Sequence, residues 1–116
     1  MSHIMVIDDD PLFATLVRRR LESEGHSVTY NKGACGALTT ARQSCPDVIL
    51  VDVQMPEIDG PKLVGFLRDR GFGTPRILLM SSIAEHDLRS AASSYGAHGY
   101  ICKGWGLDAI ASRVRD

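Results

Sequence analysis

The chain has 116 residues, 44% of them hydrophobic and 23% charged, with a formal net charge of −1. That length gives one domain, 1–116, with a single core. The even charge balance argues against a nucleic-acid-binding surface built from this chain alone. No apolar run reaches the length of a membrane span, and the N-terminus lacks the pattern of an export signal. Cys35, Cys45 and Cys102 are far apart and form no CxxC pair. They read as reduced cytoplasmic thiols, each a small buried or half-buried side chain.

HIMVI (3–7) reads as a buried strand running into three carboxylates, Asp8, Asp9 and Asp10. Asp10-Pro11 has the form of a helix start, a capping side chain followed by proline. Phe13, Leu16, Val17 and Leu21 recur at helical spacing, and Gly25 closes that helix. The Arg18-Arg19-Arg20 run reads as its solvated face. HSVTY (26–30) alternates as a second strand, and 33–44 is Ala-rich and weakly helical. DVILV (47–51) is the clearest buried strand. The loop 52–60 leads to a helix at about 61–70, and GFGTP (71–75) to a fourth strand, RILLM (76–80). A helix opens from SSIAEHDL and runs to about Tyr95. HGYIC (98–102) is the fifth strand, and after Lys103 a Gly104-Trp105-Gly106 turn leads into a last helix over 107–115.

Five alternating β-α units with strands this apolar predict an α/β, flavodoxin-like doubly wound sandwich, a parallel sheet in the order 2-1-3-4-5 with helices on both faces. Sites in such folds form outside the carboxyl ends of the strands. Those ends offer Asp8 and Asp9, then Asp52, then Ser81 and Ser82, then Lys103. Three converging carboxylates need a counter-charge. Lys103 supplies one, and a divalent cation supplies two more. Oxygen donors without His or Cys favour Mg²⁺ (or Mn²⁺) over zinc. The four histidines are scattered and indicate no metal site of their own. Asp8 and Asp9 thus read as a metal pocket and Asp10 as the helix cap.

The whole chain resembles a response-regulator receiver domain of two-component signalling. MVIDDDP is similar to that family's acidic pair, VILVDVQMPEIDG to its phosphoacceptor loop, ILLMSS to its hydroxyl switch position and GAHGYICK to its aromatic and lysine. The resemblance implies that Asp52 accepts the phosphoryl group. Asp9 and Asp52 are then carboxylate ligands of Mg²⁺, Asp8 acts mainly through a bound water, and the main-chain carbonyl of Gln54 is a further ligand. Lys103, Ser81 and Ser82 meet the phosphoryl oxygens. Ser81 and Tyr100 are the switch pair, which alters the surface of the fourth helix, fifth strand and fifth helix. The implied donor is a sensor histidine kinase or a histidine phosphotransfer protein, and the implied target an unknown protein or a fused output domain. The domain catalyses only its own phosphorylation and slow dephosphorylation. A homodimer through the last two helices is compatible with the resemblance, as is a position inside a longer regulator.

Two positions depart from the family. Gly104 stands where most relatives have proline, so the Lys103–Gly104 bond is expected to be trans and the turn loose. The switch hydroxyl is Ser81 rather than threonine, and Ser82 stands where alanine is usual. Gln54, Ser82 and Ile83 are expected to rim the pocket and set how fast water reaches the acyl phosphate. Trp105 is expected near the pocket mouth. Met55-Pro56 reads as loop support, Asp59-Gly60 as a turn, Lys62 as surface, and Gly71 and Gly73 as loop residues. A phosphate-independent interaction module is the alternative function. A small Mg²⁺-dependent phosphohydrolase is disfavoured because Gln54 stands where a general acid would be needed.

Overall fold

The computed structural model describes residues 2–55, 59–69 and 74–116. The strands are β1 (His3–Asp8), β2 (Ser27–Lys32), β3 (Val48–Asp52), β4 (Arg76–Ser81) and β5 (Gly99–Cys102). Between and after them lie α1 (Pro11–Ser23), α2 (Ala37–Ser44), α3 (Gly60–Asp69), α4 (Glu85–Tyr95), a 3₁₀ turn at Lys103–Trp105 and α5 (Leu107–Arg115). All strand pairs are parallel, in the order β2-β1-β3-β4-β5. The flavodoxin-like sandwich expected from the sequence is the fold observed.

Side chains alternate between the two faces of a strand, and the core divides accordingly. Ile4 and Val6 of β1, Val48 and Leu50 of β3 and Ile101 of β5 pack with Ala14, Val17 and Leu21 of α1 and with Ile110, Ala111 and Val114 of α5. Met5, Ile7, Ile49, Val51, Ile77 and Leu79 face α2, α3 and α4, where Ala41, Leu67, Leu88 and Ala92 meet them. Each fully buried aliphatic side chain contributes about 1.5–3 kcal/mol. The sheet is therefore held from both sides, and its carboxyl edge is a rigid platform.

Three strands run one residue past the apolar stretch that marks them in the sequence, so Asp8, Asp52 and Ser81 are the final residues of β1, β3 and β4. By alternation, Asp8 follows Val6 and Asp52 follows Leu50 onto the α1/α5 face. Ser81 follows Leu79 onto the α2–α4 face.

Local details follow from backbone chemistry. The Asp10 side chain accepts the N–H groups of Leu12 and Phe13 at 3.1 and 3.2 Å, with Pro11 in the first turn, a cap contributing about 1 kcal/mol. Gly25 follows α1 with φ +91°. The helix expected from 33 begins only at Ala37, because Gly33 and Gly36 take positive φ and turn the chain first. Similarly α4 begins at Glu85 rather than at the serines. Among the described residues no peptide bond is cis, so Lys103–Gly104 is trans.

Two expectations are corrected. Cys35 and Cys45 are exposed, and only Cys102 is half-buried. Cys35 lies in the Gly33–Gly36 turn, and Cys45 caps α2 in the left-handed region with its thiol turned back to the Arg42 carbonyl. Arg20 is not simply solvated: it joins Glu24 at 2.8 Å and also reaches Asp108, while Arg115 reaches Glu24, so α1 and α5 are tied by ion pairs. Pro56, Gly71, Gly73 and the expected end of α3 near 70 lie outside the described residues.

Candidate functional site

The carboxyl ends of β1 and β3 place Asp8, Asp9 and Asp52 with carboxylate oxygens within 4.8 Å of one another. Asp8 is wholly buried, Asp52 nearly so, and Asp9 is exposed. Asp8 Oδ1 accepts the N–H of Asp10 at 2.9 Å, and Asp52 Oδ1 accepts that of Gln54 at 2.8 Å. The other oxygens of the two buried carboxylates turn to one ammonium. Lys103 Nζ lies 2.9 Å from Asp8 Oδ2 and 3.2 Å from Asp52 Oδ2.

One ammonium does not neutralise this group. Burial pushes the Asp8 carboxyl above its ordinary range. The Asp10 amide and Lys103 oppose the shift, and the Asp52 charge adds to it. Burial pulls Lys103 down, but the two carboxylates outweigh it, and the net direction is upward. Lys103 is therefore firmly protonated at neutral pH. Asp8 Oδ2 is buried and makes no directed hydrogen bond, despite its nearness to Lys103. A buried, under-satisfied carboxylate oxygen among oxygen donors suits a hard divalent cation.

The main-chain carbonyl of Asp8 is pinned from two sides, by the Tyr30 hydroxyl at 2.8 Å and the Gly33 N–H at 3.1 Å. Burial and the neighbouring aspartates raise the Tyr30 phenol further, which keeps it a donor. The ring of Phe13, in the first turn of α1, faces Lys103 Nζ at 4.6 Å. Neither aromatic was singled out in the sequence as part of the site. Phe13 was visible only as a core-periodic residue of a capped helix, and Tyr30 only as the end of an alternating strand.

On the opposite face, Ser81 is fully buried, and its Oγ accepts the N–H of Ile83 at 3.1 Å. The N–H of Ser82 donates to Gln54 Oε1 at 3.0 Å, joining the loop after β3 to the loop after β4. Tyr100 is half-buried on β5. Its hydroxyl donates to Glu85 at 2.9 Å and accepts from Arg89 Nε at 3.1 Å. The guanidinium of Arg113 lies 5.7 Å from its ring, and Trp105 packs against it at 5.8 Å with the planes tilted by 51°. Trp105 therefore sits beside Tyr100 and reports on that ring more directly than on the carboxylates.

The structure thus brings together Asp8, Asp9, Asp52 and Lys103 on one side of the strand ends. It places Ser81, Ser82 and Gln54 around the β3 and β4 loops, and Tyr100 on the α4–β5 side.

The sequence matches the family model for the response regulator receiver domain over residues 4–115. It is 30% identical to the transcriptional regulatory protein KdpE of Mycobacterium tuberculosis over 115 residues, 99% of this chain and 50% of that protein. With the response regulator MprA of Mycobacterium sp. strain KMS it shares 32% identity over 114 residues, 97% of this chain and 48% of that protein. The chain spans about half the length of the curated transcriptional-regulator relatives it matches. Among solved structures, a response regulator from Thermotoga maritima superposes with a TM-score of 0.85 at 28% identity, over 97% of this chain and 93% of that one. The chemotaxis protein CheY4 of Vibrio cholerae has a TM-score of 0.88 at 22% identity, over 99% and 97% of the two chains, and speaks for the fold.

Proposed function

The chain belongs to the response regulator receiver domain family, and from that premise we propose that it is a phosphoacceptor switch that takes a phosphoryl group onto Asp52. The observation that carries this reading is the cluster itself, two buried carboxylates and one exposed one facing a single ammonium at the strand ends.

In this reading the donor is a phosphohistidine on a sensor kinase or phosphotransfer protein in the cytoplasm. Asp52 Oδ2 attacks phosphorus, the P–N bond breaks, and the imidazole nitrogen keeps the electron pair and takes a proton from solvent. Transfer of this kind depends on positioning and on opposing the charge of the phosphoryl oxygens. Mg²⁺ held by Asp8, Asp9, Asp52 and the Gln54 carbonyl would supply positive charge there. Lys103, already within 3.2 Å of Asp52, pairs with a phosphoryl oxygen. Later, water attacks phosphorus, the P–O bond to Asp52 breaks, and inorganic phosphate leaves.

The switch uses the opposite face of the sheet. Ser81 Oγ accepts from Ile83, so its own proton is available to a phosphoryl oxygen. Ser82 N–H is available once it leaves Gln54 Oε1. Movement of this loop alters the packing beside Tyr100, which turns inward only by giving up Glu85 and Arg89. That is a population shift between two packings, biased by local contacts.

Beryllofluoride added with Mg²⁺ is expected to change Trp105 fluorescence in the wild type and not in Asp52→Asn. Phosphoramidate is expected to phosphorylate only the wild type, read by intact mass. Equal phosphate uptake by Asp52→Asn would move the acceptor off Asp52, while a wild type that neither takes up phosphate nor binds Mg²⁺ by calorimetry would replace this reading with a phosphate-independent interaction module. Separately, Gln54→Ala and Ile83→Ala should shorten the acyl-phosphate lifetime, because in this reading the two side chains rim the pocket and limit the entry of water. Lifetimes equal to wild type in both variants would dismiss their role in excluding water.

A further inference from the structure

Lys103 follows directly on β5. It opens a three-residue 3₁₀ turn. Nothing lies within 4 Å of a Cβ built on Gly104, and Gly106 has φ +93°. No side chain or proline ring braces the chain immediately after the lysine. Two ammonium contacts are the carboxylates of Asp8 and Asp52. The Phe13 ring lies over the ammonium at 4.6 Å, within the range of a cation–π contact. Phe13 is itself fixed: its N–H donates to the Asp10 cap, and its ring packs on the α1/α5 core.

We propose that Phe13 is a positioning residue for phosphoryl transfer, its ring face holding the Lys103 ammonium over Asp52 in place of the backbone rigidity that Gly104 does not provide. The inference rests on the phosphoacceptor reading above. When Asp52 gains a phosphoryl group, the ammonium must move from carboxylate to phosphoryl oxygen without swinging into solvent. An aromatic wall on its open side confines that movement. Unlike a third carboxylate, the wall adds no charge to a cluster already short of positive charge. Phe13 touches no reacting atom in this scheme and acts through Lys103.

The test compares wild type, Phe13→Leu and Phe13→Tyr with two readouts. The first is the NMR shift of the Lys103 ε-methylene protons, which a ring face moves upfield. The second is the rate of phosphorylation by phosphoramidate at saturating Mg²⁺. In Phe13→Leu the upfield shift should vanish and the rate fall by about five-fold, while Phe13→Tyr keeps both, since the ring face is the active feature. Thermal melts separate packing from positioning: a merely structural role would lower the melting temperature and leave the rate in place, even though the ring-current shift goes with the ring. A wild-type rate in Phe13→Leu, or equal losses in the leucine and tyrosine variants, would overturn the proposal, as would a Lys103 shift at its random-coil value in wild type. A wild-type chain that shows the upfield shift but takes up no phosphate would overturn the phosphoacceptor reading and leave the contact standing.

Discussion

Asp8→Asn should make the metal-free protein more stable at pH 7, by about 1–2 kcal/mol, because it removes an ionised carboxylate whose burial is not fully compensated. In a domain of this size that is a rise of several degrees in melting temperature, at about 4 °C per kcal/mol. Asp8 is fully buried, one of its oxygens lacks a directed hydrogen bond, and its folded pKa lies above the ordinary carboxylate range. The sign follows from that direction. A carboxylate with a raised folded pKa is more easily ionised in the unfolded chain. Its ionisation therefore costs stability, starting as pH rises through the ordinary value and complete above the raised one. Melts in a chelator across that window should show the wild type losing stability relative to Asp8→Asn as pH increases. The same substitution should strongly weaken Mg²⁺ binding by calorimetry. A lower melting temperature for Asp8→Asn at neutral pH would show that the Lys103 contact outweighs the burial cost.

Lys103→Met should act in the opposite direction. It leaves Asp8 and Asp52 buried together without their common cation, and breaking a buried ion pair from one side costs about 3 kcal/mol or more. Lys103 is 15% exposed in its side chain, so water offers little relief. The loss should be largest above the raised pKa of Asp8 and should shrink as pH falls and Asp8 takes up its proton. Added Mg²⁺ should restore much of the stability, since it supplies the missing positive charge. Phosphoryl uptake should stay low, because Mg²⁺ does not replace the ammonium that meets a phosphoryl oxygen. Melts with and without Mg²⁺, beside phosphoramidate uptake, check both statements. A metal-free Lys103→Met as stable as wild type at pH 7 would mean that the ion pairs of Lys103 contribute no net stability.

The two expected results describe a cluster that serves a function at some cost to the resting fold. Its members were legible in the sequence for a definite reason. Each stands where an apolar run ends, and parallel-sheet topology gathers those ends at one edge. The strand order needed for that gathering was legible from the β-α alternation. The exact last residue of each strand was not, because Asp8, Asp52 and Ser81 are polar while the ladder that includes them is set by the neighbouring strand. Contacts that depend on helix rotation and rotamer were also hidden. Phe13 and Lys103 are 90 positions apart, and only the packing of α1 on the sheet sets the ring against the ammonium. The Tyr100 hydroxyl clasp needs Glu85 and Arg89 one helical turn apart, with α4 beginning at Glu85 rather than at the serines.

Side-chain parity along the strands also bears on how such a gene can vary. Asp8 and Asp52 share a face with Ile4, Val6, Val48 and Leu50, and Ser81 points the other way. Losing a single codon inside β3 would carry every later side chain of that strand across the sheet, setting Asp52 among the apolar residues of α2–α4 and away from Lys103. Exchanging Leu50 for another aliphatic residue would cost only packing. Lineages of this chain are thus free to drift in which aliphatic residue fills a strand, but not in how many residues separate the core from the last one. Changes in length belong in the connections at the opposite edge.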